Sequence, residues 1–234
     1  MIDDPILDSS VWSALTGPQA HLARGDGDVR EYLPSVAYFA AVRDWTASGV
    51  WEAITEFRGP GADFPLPPAG VAIPQGWEIT RRIEGVQLIE TPDFVPEPAP
   101  ARIGDYEFAE LGAADAAEML DLVERTRPGP FLSETYKMGR YVGYRLDGEL
   151  VALAGERVRP IGWTEISAVC TDLAHRGHGL AAALVHDVGL HIRARGDRVY
   201  LHTLTTNPAR ALYTRLGFQL RRELTFGSIR IPDA

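Results

Sequence analysis

Three features of the chain predict a mixed α/β fold. The runs "RYVGYRL" and "ELVALAGERV" alternate apolar and polar positions on either side of Asp147-Gly148, the strongest short hairpin signal. The stretch "TDLAHRGHGLAAALVHDVGL" (171–190) passes from a polar, glycine-containing segment straight into an apolar-periodic helix. One strand-like run later, "NPARALYTRLGF" (207–218) reads as a second, shorter helix.

The elements follow in order. In the first part, "DVREYLPSVAYFAAV" suggests one strand pair or a bent strand, and "TASGVWEAITEFRG" a helix stopped by Gly59. "WEITRRIEGVQLIE" reads as two short strands. Residues 58–76 must be largely loop, because their prolines lack donors and restrict the residues before them. Part of this loop (59–76) is expected to act as a lid. "TPDFVPEPAPARIG" (91–104) reads as an extended linker, so the expected division is an accessory domain over 1–100 and a second domain over 101–234. Four of the five tryptophans (Trp12, Trp45, Trp51, Trp77) precede the linker, which argues for a packed domain there and against a disordered tail.

Beyond the linker, "DYEFAEL" is a strand candidate. "GAADAAEMLDLVERT" places Ala116, Met119, Leu120 and Val123 at helical spacing. A short helix around "LSETYKM" precedes the hairpin, "GWTEISAVCT" continues as a strand, and "DRVYLHT" is the next one. "FQLRRELTFGSIRI" closes the chain as one or two strands, giving β-α-(α)-β-β-β-α-β-α-β-β.

Bulk properties narrow the function. A net charge of −9 over 234 residues argues against a duplex-binding role, which needs a basic face, and suits a cationic or amine-bearing partner. The single cysteine, Cys170, excludes a disulfide within the chain and fits a reducing cytosol. The start "MIDDPILDSS" lacks the basic-then-apolar profile of a signal peptide, and no apolar run approaches the roughly 18 residues that cross a bilayer. A cytoplasmic protein with no membrane or nucleic-acid partner is expected.

The helix that starts beside Gly179 has first-turn amides without carbonyl partners, and its dipole adds partial positive charge there. Glycines at 177 and 179 would let those donors approach a ligand, and Arg176 adds a fixed cation, so a phosphate is the natural guest. No Gly-Lys-Ser/Thr follows, which excludes a Walker A loop, and G-x-G-x-x-G is absent. Downstream, Asn207 suits an N-cap, Pro208 the first helical position and Gly217 a left-handed stop.

Arg176-Gly177-His178-Gly179-Leu180-Ala181 resembles the R/Q-x-x-G-x-G/A motif of the GNAT superfamily of acyl-CoA-dependent N-acyltransferases. The preceding "ISAVCT" strand and the N-x-x-A-x-x-L-Y-x-x-L-G-F segment from Asn207 to Phe218 extend the resemblance, which looks most like the glycine N-acyltransferase-related branch. It spans residues 103–231. It implies a central mixed, mostly antiparallel sheet flanked by helices, with an N-terminal region that in related proteins can be a degenerate second copy of the fold. It also implies coenzyme A, carrying an acetyl group, as cofactor. Amides of Gly177, His178, Gly179, Leu180 and Ala181 would hold the pyrophosphate with Arg176 nearby. The strand edge at Val169, Cys170 and Thr171 would pair with the pantetheine. Asn207 and Ala209 would flank that arm, and Tyr213 would lie near the thioester sulfur.

Transfer to an amine needs a base, an oxyanion donor and a group that stabilises the departing thiolate. A backbone amide near Val169 or Cys170 would serve the oxyanion, worth about 3–4 kcal/mol if well aimed. Tyr213 is the expected general acid. Glu165 is the expected base, with residues 165, 167 and 169 nominally on one strand face unless a bulge near Val169 turns Glu165 away, and His202 is the reserve. Cys170 reads as buried filler and not as a nucleophile. His186 and His191, five apart, share no helix face, so no metal site is expected. The expected activity is N-acetyl transfer from acetyl-CoA to a primary amine in a ternary complex, with a small molecule, an amino acid or a protein N-terminus as acceptor. The alternatives are a non-catalytic acyl-CoA sensor and an unrelated phosphate-binding enzyme. Closing strands in such a fold can pair between subunits, which leaves a homodimer open.

Overall fold

Asp147 and Gly148 both take left-handed backbone angles (φ 52° and 86°), the pair that a two-residue hairpin turn requires. They join two strands of a computed structural model that describes residues 4–233. The chain first forms α1 (Ser10–Thr16), β1 (Ala23–Arg24), β2 (Val29–Tyr32), β3 (Ala40–Val42), α2 (Val50–Arg58), β4 (Asp63–Pro65) and β5 (Glu78–Glu90). It continues through β6 (Arg102–Ile103), β7 (Tyr106–Leu111), α3 (Ala116–Thr126), β8 (Tyr141–Leu146) and β9 (Glu149–Glu156). Last come β10 (Trp163–Thr171), α4 (Leu180–Ala194), β11 (Arg198–Leu204), α5 (Arg210–Arg215) and β12 (Phe218–Arg230). The short helix expected near residue 135 is a 3-10 turn, Thr135–Met138.

Nine strands form one sheet in the order β4-β12-β5-β11-β10-β9-β8-β7-β6. All neighbours are antiparallel except β10 and β11. The mixed, mostly antiparallel sheet expected above is therefore present. α4 buries Leu180, Leu184, Val185, Val188 and Ile192 against Val86, Leu88, Ile166, Val199 and Leu201 on one face. On the opposite face α3 packs Met119, Leu122 and Val123 against Tyr141, Leu153 and Cys170.

The division at residue 101 does not coincide with a break in the structure, because β4 and β5 lie in the large sheet and β5 sits between β11 and β12. The residues before them build a three-stranded antiparallel sheet, β1-β2-β3, with α1 and α2, and do not repeat the strand–helix order of the later part. The proline-rich "linker" is a bound strap. It carries the chain from β5 across α4 to the far edge at β6, with Phe94 buried between His186 and Phe218, and Ala99 N donating to Asp187 Oδ1 at 2.9 Å. Prolines keep such a crossing extended. Gly217 (φ 94°) lies under this strap, where a Cβ would collide with the Phe94 backbone, so the glycine is required by close approach as well as by its angle.

"WEITRRIEGVQLIE" forms one long strand where two were expected. Gly85 does not interrupt it, because the Phe226 ring of β12 covers the space a side chain would fill. Residues 59–76 lie on the β4 side, where Phe64, Leu66 and Ile73 pack with Trp45, Trp51 and Trp77. Three strands separate that edge from β10, which does not suit the expected lid.

Candidate active site

The parallel pair β10–β11 is short. It aligns Trp163 with Arg198, Thr164 with Val199 and Glu165 with Tyr200, then stops. From there β10 follows β9 to Thr171, while β11 follows β5 to Leu204. The two strands diverge and leave a β10 edge at 166–171 with no partner from β11. A bulge between Ser167 and Cys170 accompanies the divergence, with Ala168 at φ 55°, a left-handed angle that an alanine adopts only under constraint. The bulge breaks the alternation: Val169 packs in the α4-side core, whereas Ala168 and Cys170 pack against α3.

The segment after β10 turns through a 3-10 helix, Leu173–His175, capped by the Asp172 side chain on Ala174 N at 3.1 Å. Arg176 Nε donates to Thr171 O at 3.2 Å, tying the loop back to the strand. Gly177 (φ 85°) and Gly179 (φ 81°) are both left-handed, and a Cβ on either would meet nothing within 4 Å. These glycines are thus dictated by backbone angle, not by crowding. α4 begins at Leu180 with no side-chain cap. Among the described residues no acceptor is found for the amides of Gly177, His178, Gly179, Leu180 or Ala181, while Ala183 N is the first to close on Gly179 O at 3.1 Å. This array fits a diphosphate: bare donors, a helix dipole and a nearby guanidinium converge on one opening. The His178 side chain is engaged within the protein: its Nδ1 faces His175 O at 3.2 Å and its ring packs on Tyr106.

α5 is short, and its start is organised by Asn207, whose Oδ1 accepts from Ala209 N at 2.9 Å while Nδ2 donates to Thr203 Oγ1 at 2.7 Å. Both polar ends of Asn207 are therefore used within the protein, and Ala209 packs on the α4-side core. Tyr213 is buried there against Phe218 (ring centroids 6.3 Å apart). Burial pushes its phenol up to about 12, so it stays protonated across the physiological range.

Glu165 does not have the character expected of a base. Its side chain is 1% exposed. Arg157 holds it through two bonds (Nε to Oε2, 3.0 Å; Nη2 to Oε1, 2.6 Å), and His202 Nδ1 lies 2.8 Å from Oε1. Burial pushes the carboxyl up, but the Arg157 charge and the bonds from His202 and Arg157 outweigh it and keep it well below the usual carboxylate range. The bulge places Glu165 on the face opposite Val169, as the sequence allowed. Cys170 is similarly unsuited to attack, because burial pushes its thiol up to about 11. Sequence reasoning missed Arg157, Gln87 and Arg221, which complete this buried layer. Gln87 Nε2 lies 2.9 Å from His202 Nε2, across 115 positions of sequence, and no local pattern signals such a pairing. Among the described residues no group of three or more His, Cys, Asp or Glu is arranged to hold a metal, and no helix is long and apolar enough to cross a membrane.

Comparison with known proteins agrees with this geometry. The family model described as FR47-like protein matches residues 141–226, from β8 to within β12. No curated protein matches the sequence. A crystal structure of a GNAT-family protein from Novosphingobium aromaticivorans is 36% identical, with 98% of this chain and 99% of that chain covered and a TM-score of 0.83. A GCN5-related N-acetyltransferase from Kribbella flavida is similar in fold, with a TM-score of 0.64 at 18% identity, over 97% of this chain and 95% of that one. With one relative matched over almost its full length at that identity, and the diverging strands and helix-start amides in place, this chain belongs to the GNAT family of acetyltransferases.

Proposed function

We propose that the protein moves an acetyl group from acetyl-CoA to a primary amine by direct transfer in a ternary complex. The observation that supports this most is the conjunction of the β10–β11 divergence with the unbonded amides at the start of α4. The diphosphate would lie on the amides of residues 177–181 beside Arg176, with the pantetheine along the β10 edge at Val169 and Thr171, flanked by Ala209 and Tyr213. The glycine N-acyltransferase-like branch remains the finer reading of the ordered motifs.

When bound, acetyl-CoA supplies an activated carbonyl carbon and a thiolate leaving group. Tyr213 holds its proton too tightly to surrender it fully to a thiolate, whose conjugate thiol ordinarily titrates at about 8.5. It therefore acts as a hydrogen-bond donor to the developing thiolate. Glu165 is saturated, so the acceptor reacts as its free-base fraction and its protons pass to solvent. For a series of amines, kcat/KM is expected to rise with pH toward each amine's own pKa. A common limb set by the enzyme near neutrality would instead reveal a protein base.

The direct test mixes the protein with acetyl-CoA and a panel of small amines, amino acids and N-terminal peptides, and follows release of free thiol. Amine-dependent release supports the proposal. Tight binding with no release on any acceptor supports the second reading, a non-catalytic acyl-CoA sensor, which the saturated Glu165 favours. Stronger thermal stabilisation by a nucleotide than by acetyl-CoA would overturn both. A Gly179→Ala variant should raise the KM for acetyl-CoA about tenfold, because its methyl would occupy the open space over the amides, while the left-handed alanine separately costs about 1–2 kcal/mol of stability.

A further inference from the structure

Where β11 leaves β10, the groups around His202 form a connected chain of hydrogen bonds. Arg221 can only donate, and its Nη1 lies 2.8 Å from Gln87 Oε1. Leu7 O can only accept, and Gln87 Nε2 lies 3.3 Å from it. The two contacts independently turn the Gln87 amide so that its NH2 group faces His202 Nε2 at 2.9 Å. That nitrogen must then present a lone pair. On the other side of the ring Nδ1 lies 2.8 Å from Glu165 Oε1, an ionised carboxylate that can only accept, so Nδ1 carries the proton.

We propose that Gln87 and Arg221 are positioning residues that hold His202 as a neutral, Nδ1-protonated imidazole on the part of β11 that has diverged from β10. An imidazolium would set its Nε2–H against the Gln87 N–H, two donors face to face. The groups around the ring are Glu165 from β10, with Arg157 behind it, Gln87 from β5, and Arg221 from β12, which is itself bonded to Asp8. Tyr200 and Phe226 complete the surroundings, each presenting a ring edge-on at 5.5 Å. Arg157 is balanced by Glu165, so a neutral His202 adds no charge to that pair. The functional consequence rests on the amine-acceptor reading: a charged ring here would repel a cationic acceptor as it enters. The lock also removes His202 from the role of base, since neither ring nitrogen is open.

Long-range 1H–15N correlation spectra of the full-length 15N-labelled protein at pH 7.5, with His202 assigned through its backbone, read the state directly. Nδ1 is expected to be protonated and Nε2 bare. An Nε2–H tautomer or an imidazolium would overturn the proposal. Gln87→Glu keeps an acceptor for Arg221 and offers a second one to Nε2. In this variant the ring is expected to be an imidazolium at pH 7.5, with kcat/KM for the amine reduced about tenfold and the KM for acetyl-CoA unchanged, recovering as pH rises. A ring that stays neutral, or a charged ring with undiminished kcat/KM, would count against the positioning role. Wild-type protein inactive on every amine would refute the transferase reading, while the tautomer result would stand by itself.

Discussion

Glu165→Gln is expected to cost about 3–5 kcal/mol of stability, because it leaves the buried Arg157 guanidinium without its counter-charge. The substitution conserves shape, so no cavity confuses the reading. Arg157 would keep only weaker partners, including the face of the Phe39 ring at 5.0 Å. The effect is pH-dependent with a definite sign. The folded carboxyl titrates below its unfolded value near 4.5, so its stabilisation is fully present above that range. It is lost progressively as pH falls below it. Urea midpoints for wild type and variant should therefore lie far apart at pH 7 and begin to draw together only as pH falls below about 4.5, with part of the gap remaining at pH 3. A variant of unchanged stability with a selective loss of kcat would restore the catalytic base that the sequence first suggested.

Tyr213→Phe is expected to lower kcat about 10²-fold, the lower end of what one hydrogen-bond donor aimed at developing negative charge supplies, with the KM for acetyl-CoA little changed. The ring keeps its packing on Phe218, so the thermal midpoint should move little. With the phenol titrating at about 12, ionisation of Tyr213 should not limit wild-type activity below pH 10. A variant with unaltered kcat would make Tyr213 a core aromatic only.

The Asp147-Gly148 hairpin, the α4 start at Leu180 and the Gly59 stop of α2 were all readable, because each depends on residues within one turn of one another. The division at residue 101 was misread for a related reason. Prolines announce an extended backbone, but they do not say whether it hangs free or lies bound across a helix, as Phe94 and Ala99 do. β5 likewise looked interrupted at Gly85 because the ring that covers it belongs to Phe226.

By itself the sequence determined the alternation of strands and helices and the left-handed glycines that expose the amides of residues 177–181. Local angles and periodicity suffice for both. Only the tertiary structure decided the surroundings of Glu165 and His202. Charge and protonation depend on neighbours in space, and here Arg157, Gln87 and Arg221 arrive from three different strands or their extensions. The bond between His202 and Glu165 spans 37 positions, and that between Arg221 and Gln87 spans 134. No one-dimensional pattern encodes contacts of that range, so the ion pair that buries Glu165 against Arg157 is visible only in three dimensions.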